Sequence, residues 1–406
     1  MTRTKSKRLA ILGVQDVRDT NETRFLHLIR DRQPVSRTDL AFETGLRPGT
    51  VSLVVNRLLR AGFVCEAEEA PSKGGRRAVY LQVNAEKAYA VGISIGVHQS
   101  VYLVSDFNGR ILSQRNVLTG HDPKEFLTKL GKEIAGHLEK NYRKSQFWAI
   151  GVTAPGLVDR EDGKLVYSPN LGWVDIPVAR LLKQSLKLPV YLENDANAAA
   201  LSELWYGPME IAGASSLLFV LVVEGIGTGF ILNGELHIGS RIGSGGFGHM
   251  QLDSQGPACS CGNIGCWEAL ASNEATVKHF LESYPGRAGQ IRSVRDLVSA
   301  AANGDQAARD ELLRMASLIA KGIRGLAQGL APEVIVLGGE ITEAWPLIEA
   351  TLHKEIQSGY LIEGVSQPKL RRASVDHPGM FGTIPLCLRS MFQNRGKRMP
   401  EPVINP

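Results

Sequence analysis

Four side chains in one short stretch have the types and spacing to hold a metal ion. His249, Cys259, Cys261 and Cys266 stand in the order H-x9-C-x-C-x4-C. One neutral imidazole and three thiolates form the ligand set of a closed tetrahedral zinc site. Gly256, Gly262 and Gly265 fall among them and let the backbone turn tightly enough for ligands so near in sequence to meet. The competing reading, a glycine-rich loop with free thiols, leaves the gathering of three of the five cysteines beside a histidine unexplained. Four protein ligands leave no open coordination position, so the expected zinc, one per chain, is structural. Binding it releases ligand protons and supplies folding energy.

A second group could handle a hydroxylated ligand. Glu193-Asn194-Asp195 closes an apolar strand before an alanine-rich helix. Asp195 could accept a hydroxyl proton and Asn194 could bond neighbouring hydroxyls, while either side chain could equally cap the helix. Asn170, in SPNLGW, is a further polyol contact or a loop brace. Glu268 lies two residues past the last cysteine. It is either an acceptor whose position the metal sets or a surface charge. Three glycine-rich spots, GISIGVHQS at 92–100, EGIGTG at 224–229 and LGGE at 337–340, could approach phosphate, each weak evidence by itself.

The elements that must position these groups belong to a long chain. At 406 residues, 43% hydrophobic and 21% charged, it has an ordinary globular composition and exceeds one usual core. No apolar run reaches the roughly eighteen residues of a membrane span. The basic start MTRTKSKRLAILG lacks the apolar segment of a secretory signal. Clustered rather than framework-spaced cysteines fit a reducing compartment, so a cytoplasmic location is expected. Residues 1–82 carry 15 Lys/Arg against 9 Asp/Glu, and the remainder 31 against 32. That asymmetry points to a nucleic-acid-binding module joined to a nearly neutral body.

Periodicity supports such a module. Phe25, Leu26, Leu28 and Ile29 share one side of a short helix over 21–31 that Gln33-Pro34 breaks. Ser36 caps a second helix ending at Gly45; Asp39, shorter than glutamate, is expected to complete the reciprocal cap only imperfectly. A third helix starts near Pro48 with Val51, Val54, Val55, Leu58 and Leu59 inward, and Gly62 stops it. Arg47, Thr50, Ser52, Asn56 and Arg57 are then placed to meet bases or phosphates, and a hairpin follows with Lys73, Arg76 and Arg77 at its tip. Three helices and a basic wing read as a winged helix-turn-helix. A small adaptor domain with a solvated basic face is the bland alternative.

From Tyr89 onward strands and helices alternate. AVGISIG, QSVYLVSDFNG and ILSQRNVL predict a three-stranded opening. A helix over PKEFLTKLGKEIAGHLEKNY, a strand over FWAIGVTA, a helix over DIPVARLLKQSLKL and a strand over PVYLEND follow, before the helix ANAAALSELWYG. SLLFVLVVEGIGTGFILNGEL gives two more strands, 292–331 is mostly helical, and APEVIVLGGE, KLRRASV and TIPLCLRSMF supply two strands and a closing helix. The class is α/β, with two similarly ordered halves.

GHMQLDSQGPACSCGNIGCWE, ENDANAAA, SPNLGW and VIVLGG together resemble the ROK family of bacterial repressors, open-reading-frame proteins and sugar kinases. The resemblance covers most of the chain. It implies a bilobal actin-like, sugar-kinase-like (ribonuclease H-like) fold preceded by a winged helix-turn-helix. The expected divisions are a basic arm at 1–12, a DNA-binding domain at 13–85, a first lobe at 86–195, a second lobe at 196–380 carrying the zinc loop 249–266, and at 381–406 a helix returning to the first lobe and a tail. Carried over, the zinc ligands are His249, Cys259, Cys261 and Cys266, and the sugar contacts are Asn170, Asn194, Asp195, His249 and Glu268. Asp195 matches the kinases' catalytic base.

Two departures matter, the first opposing kinase activity and the second removing a sugar acceptor, which leaves weak hexose binding, a different effector or no small-molecule response open. The family's kinases open with D-x-G-G-T, where this chain has Ser94-Ile95-Gly96-Val97-His98, and Gly246 stands where a sugar-contacting glutamate is usual. The expected function is therefore a transcriptional regulator of carbohydrate-related genes, a repressor. It would bind a palindromic double-stranded operator as a homodimer or tetramer, with a sugar or sugar-phosphate effector possible and no ATP, membrane partner or catalysis expected. It would be bacterial, cytoplasmic and on the nucleoid when DNA-bound, with Asp195 a vestigial base. The alternatives are an ATP-dependent sugar kinase with an attached DNA-binding domain, or a winged-helix module that recruits protein.

Overall fold

The computed structural model describes residues 22, 25–26, 28–30, 32–67, 79–87, 89–142, 147–212, 214–239, 246–358, 367–375 and 377–387. The basic arm, the wing-tip residues Lys73, Arg76 and Arg77, and the chain end lie outside them.

The described residues within 22–32 are helical. They lead into β1 (Val35–Ser36), α1 (Arg37–Thr44), α2 (Pro48–Arg60), β2 (Val64–Glu66) and β3 (Tyr80–Val83), whose strands pair in the order β1-β3-β2. Ser36 Oγ accepts the Asp39 N–H at 3.2 Å, and Asp39 Oδ2 accepts the Ser36 N–H at 3.0 Å. The aspartate thus closes the reciprocal cap fully, correcting the expectation from its length. Gly45, at φ 65, ends α1, and Pro48 opens α2 at a position whose N–H has no helical partner to lose. Val51, Val54, Val55 and Leu58 are buried, while Leu59 is half-buried.

The body repeats one topology twice. In the first half, β4 (Tyr89–Ser94), β5 (Gln99–Asp106) and β6 (Ile111–Leu118) form an antiparallel meander. After α3 (Pro123–Asn141), β7 (Phe147–Ala154) adds parallel to β4. Next comes a small antiparallel sheet of β8 (Leu157–Asp159), β9 (Lys164–Ser168) and β10 (Trp173–Ile176), then α4 (Val178–Leu186) and β11 (Val190–Asn194). The sheet order is β11-β7-β4-β5-β6. The three-strand sheet was absent from the sequence reading, and Asp175-Ile176 belong to it rather than to a helix. Pro177 holds its predecessor extended, Ile176 pairs with Leu165, and α4 starts only at Val178.

α5 (Asp195–Tyr206) and α6 (Met209–Ala212) lead to the second sheet, made of β12 (Ser216–Val222), β13 (Ile226–Leu232), β14 (Glu235–Leu236), β15 (Val334–Gly339) and β16 (Lys369–Arg372). Its order, β14-β13-β12-β15-β16, matches the first strand for strand: a meander, then two strands parallel to its first member. Between β14 and β15 lie α7 (Trp267–Ala271), α8 (Asn273–Ser283), α9 (Val294–Ala302) and α10 (Gln306–Leu330); α11 (Trp345–Gln357) and α12 (Pro378–Phe381) follow β15 and β16. Among the described residues, no helix is long and apolar enough to cross a membrane.

One apolar cluster crosses from the helix-turn-helix into the body. Phe25, Val55, Phe63 and Leu81 belong with Leu103, Phe107, Trp205, Met380 and Ile384. Phe63 stacks on Phe107 at 5.2 Å, and the Arg30 guanidinium lies 4.9 Å over the Tyr206 ring and donates to the Trp205 carbonyl. A second, larger cluster joins β12 and β15 to α10 and α11 around fully buried Trp267. Its indole N–H donates to the Leu318 carbonyl at 3.1 Å.

Candidate functional site

The four predicted metal ligands converge. His249, Cys259, Cys261 and Cys266 each present a ligand atom within 4.8 Å of all the others. Their cradle is made of short local bonds. The Trp267 N–H donates to Met250 O, the Cys259 N–H to Asn263 O and the Gly265 N–H to Pro257 O, at 2.7–2.8 Å. Isolated bridges pair Gln251 with Cys266 and Ala258 with Ile264. Trp267, locked in the core directly after Cys266, anchors one end of the loop. At the other end a Cβ on Gly248 would strike the Ile226 carbonyl oxygen, so glycine is what lets the His249 turn lie against β13.

The spacings suit a tetrahedral ion. Cys261 Sγ and Cys266 Sγ are 3.7 Å apart, and His249 Nδ1 is 3.6 Å from Cys259 Sγ. A tetrahedron with metal bonds of about 2.3 Å to sulfur and 2.0–2.1 Å to nitrogen has edges of about 3.8 and 3.6 Å. The donor set and its dimensions therefore fit a metal ion. Without one, burial pushes the Cys266 thiol up to about 12.

The hydroxyl-handling candidates gather next to this loop, around the turn between β12 and β13. Glu268 Oε2 accepts the Ile226 N–H at 3.1 Å, and its Oε1 lies 3.9 Å from His249 Nδ1. A Cβ on Gly225 would collide with Glu268 Oε2 and stand 3.0 Å from Asn170 Nδ2, while one on Gly227 would stand 3.9 Å from Asp195 Oδ1. Asn170, delivered by the β9–β10 turn, thus meets Glu268, the partner of His249, across Gly225, and Asp195 closes the group at the start of α5. Asn194 is differently employed. Its Oδ1 accepts the N–H groups of Ala196 and Asn197, and its Nδ2 donates to Gly156 O. It caps α5 and ties that cap to the β7–β8 turn.

Behind the cap lies a buried ion pair that the sequence reading missed. Glu193, 2% exposed, accepts two bonds from Arg160 at 2.5 and 2.7 Å, one from the Asn194 N–H at 2.8 Å and one from Asn197 Nδ2 at 3.0 Å. No motif signalled Arg160, because its partner is 33 residues away.

Burial pushes the Asp195 carboxyl up to about 6, the Glu224 charge adding to it and backbone N–H bonds opposing it. A carboxyl raised above its ordinary 3.8 binds its proton in the folded state first, so its contribution to stability grows as pH falls from about 6 towards 4. Asp195→Asn is expected to raise the urea midpoint at pH 7 and to narrow its lead over the parent across that window. A constant difference between the two proteins from pH 7 to 4 would count against it.

The glycine-rich spots mostly serve the chain's own packing. A Cβ on Gly96 would strike Gln99 O, one on Gly229 would press on α5, and one on Gly339 would strike Val222 O. The Ser94–His98 turn is closed internally, with Thr119 donating its hydroxyl to Gly96 O and its N–H to His98 O.

In the helix-turn-helix, Arg47, Thr50 and Asn56 are exposed. Ser52 and Arg57 are half-buried, and Arg57 lies 3.6 Å from the buried Glu22 carboxylate.

Two lobes of one strand order, with polar side chains gathered between β11 and the β12–β13 turn, define the bilobal actin-like, sugar-kinase-like class, here preceded by a helix-turn-helix. The profile of the ROK family matches residues 90–390, and the chain belongs to that family. It is 32% identical over 345 residues to the xylose repressor of Bacillus subtilis, covering 84% of this chain and 88% of that one. The crystal structure of a ROK family transcriptional regulator, a homologue of the Escherichia coli MLC protein, superposes with a TM-score of 0.76 at 24% identity, over 93% of this chain and 98% of that one. A ROK family glucokinase from Streptomyces griseus, in complex with glucose and AMPPNP, gives 0.64 at 28% identity, over 74% and 99%.

Proposed function

We propose that this protein is a DNA-binding transcriptional repressor of carbohydrate-related genes whose body senses a sugar or sugar derivative. The observation that carries this reading is α2: a well-packed helix opened by Pro48, whose outer face is exposed, joined through a continuous core to a sugar-kinase-like body. The similarity to a xylose repressor over most of both chains supports it. In this reading Arg47, Thr50, Ser52 and Asn56 meet the major groove, Arg57 contributes from the flank, and Lys73, Arg76 and Arg77 meet the backbone or minor groove. Asn170, Asp195, His249 and Glu268 hold ligand hydroxyls, with Asn194 setting the helix cap behind them. Zinc on His249, Cys259, Cys261 and Cys266 keeps the last two of those side chains in place, the His249 ring donating from the nitrogen that the metal leaves free. Two copies bind a two-fold symmetric operator from the bacterial cytoplasm, with divisions near residues 85, 195 and 380.

A second reading is an ATP-dependent sugar kinase with an attached DNA-binding head. Asp195 favours it, because a carboxyl near 6 suits a general base. The Ser94–His98 turn opposes it, having neither a carboxylate for a metal nor a glycine at Val97.

Selection of bound duplexes from a random pool by the full-length, zinc-loaded protein tests the regulator. A palindromic motif is expected, bound at least about tenfold more weakly at 200 than at 50 mM salt and released by one member of a sugar panel. Failure to enrich any motif, or Asp195-dependent phosphate transfer to a hexose, would overturn it.

A further inference from the structure

α2 carries a feature that its polar residues do not explain. Successive residues turn by about 100° around a helix. Val51, Val54, Val55 and Leu58 point inward, so the outward direction falls on Gly49, Leu53, Asn56 and Arg60, with Thr50, Ser52 and Arg57 on the flanks. The centre of the outer face is therefore partly apolar: Leu53 is 50% exposed. Gly49, one turn before it, has no positive φ, and a Cβ there would meet nothing within 4 Å. Alanine would favour the helix more, and nothing within the chain excludes it.

Asn56 has a fixed orientation. Arg37 Nη2 donates to Asn56 Oδ1 at 3.0 Å, and since a guanidinium only donates, the amide NH2 of Asn56 is what remains to face a partner. An N–H donor one turn from an exposed isobutyl group matches the edge that thymine presents in the major groove, an O4 acceptor beside a 5-methyl group.

Resting on the DNA-binding reading above, we propose that Leu53 and Asn56 recognise a thymine in each half-site, Leu53 packing on the 5-methyl group and Asn56 donating to O4. Gly49 lets the first turn of α2 approach the groove floor. Arg60, at the far end of the same line, meets a phosphate.

The probe is the duplex enriched by selection with the full-length protein. Each half-site thymine is replaced in turn by deoxyuridine, which removes only the methyl group. Affinity of the parent is expected to fall about fourfold per half-site at one symmetric position, the value of one buried methylene-sized group. Leu53→Ala binds both duplexes equally at that position. Gly49→Ala, which helix propensity favours, keeps or raises the thermal midpoint yet binds at least about tenfold more weakly. Deoxyuridine tolerated within twofold at every position, a selected half-site with no constant thymine, or a Leu53→Ala protein still sensitive to the methyl group would overturn the thymine contact. Unchanged operator binding by Gly49→Ala would overturn the close approach. A pool that enriches nothing removes the DNA-binding reading itself, an outcome distinct from these.

Discussion

Arg160→Ala is expected to destabilise the protein by about 3–5 kcal/mol, the usual cost of removing one partner from a buried ion pair. Arg160 supplies two of the bonds that Glu193 accepts, and Glu193 has almost no contact with water. Without the guanidinium, the carboxylate must either keep its charge in an apolar setting or take up a proton. Protonation converts one oxygen from acceptor to donor, and the Asn194 N–H and Asn197 Nδ2 bonds on Oε1 then weaken. Because the Asn194 cap starts α5, Asp195 loses its fixed place as well. Urea unfolding measures the loss, and Glu193→Gln in the Arg160→Ala background should recover part of it by removing the stranded charge. A loss below about 1 kcal/mol would mean that water reaches Glu193 and the pair is solvated.

Stripping the metal is the second large perturbation. A zinc held at a thousandfold excess over its dissociation constant contributes about 4 kcal/mol, and this loop has little else to hold it. Its described bonds are a few turns and two isolated bridges, while the apolar anchor Trp267 lies just outside it. Cys261→Ser, or chelation of the parent, should therefore abolish stoichiometric zinc in native mass spectra. Hydrogen exchange at the Cys259, Gly262 and Gly265 amides should accelerate, while β12 and β15 stay protected. Glu268 and His249 would then lose their fixed separation, so any sugar response should weaken along with the loop. Equal exchange in the zinc-free and zinc-loaded proteins would show that the loop folds without a metal.

Much of this was legible in the residues. The ligand spacing of His249, Cys259, Cys261 and Cys266 required no tertiary information, because those ligands lie so close in sequence. The strands β4 to β7 and β11 to β13 were legible for a similar reason: each is a short run carrying strand-forming apolar residues and bounded by turns. The reading failed where non-local contacts decide. β8, β9 and β10 are three to five residues long, too short for periodicity to register, yet their turns deliver Asn170. The contact of Arg57 with Glu22 joins two helices and has no local signature. Asn194 satisfied both a capping and a ligand pattern, and the bonds to Ala196, Asn197 and Gly156 bear out the cap. Leu53 escaped because an apolar residue in an amphipathic helix reads as core unless the angle around the axis is followed.

The stacking of Phe63 on Phe107 and of Arg30 on Tyr206 also decides whether the chain can be divided. A boundary near residue 85 suggests a head that could be cut free and handled alone. That cut would strip Phe63 of Phe107 and Trp148, strip Arg30 of Trp205 and Tyr206, and open an aromatic wound on both pieces. The seam belongs to the core. The helix that begins at Asp195 in the cleft ends at Tyr206 in that seam, so head and body share a beam as well as a wall.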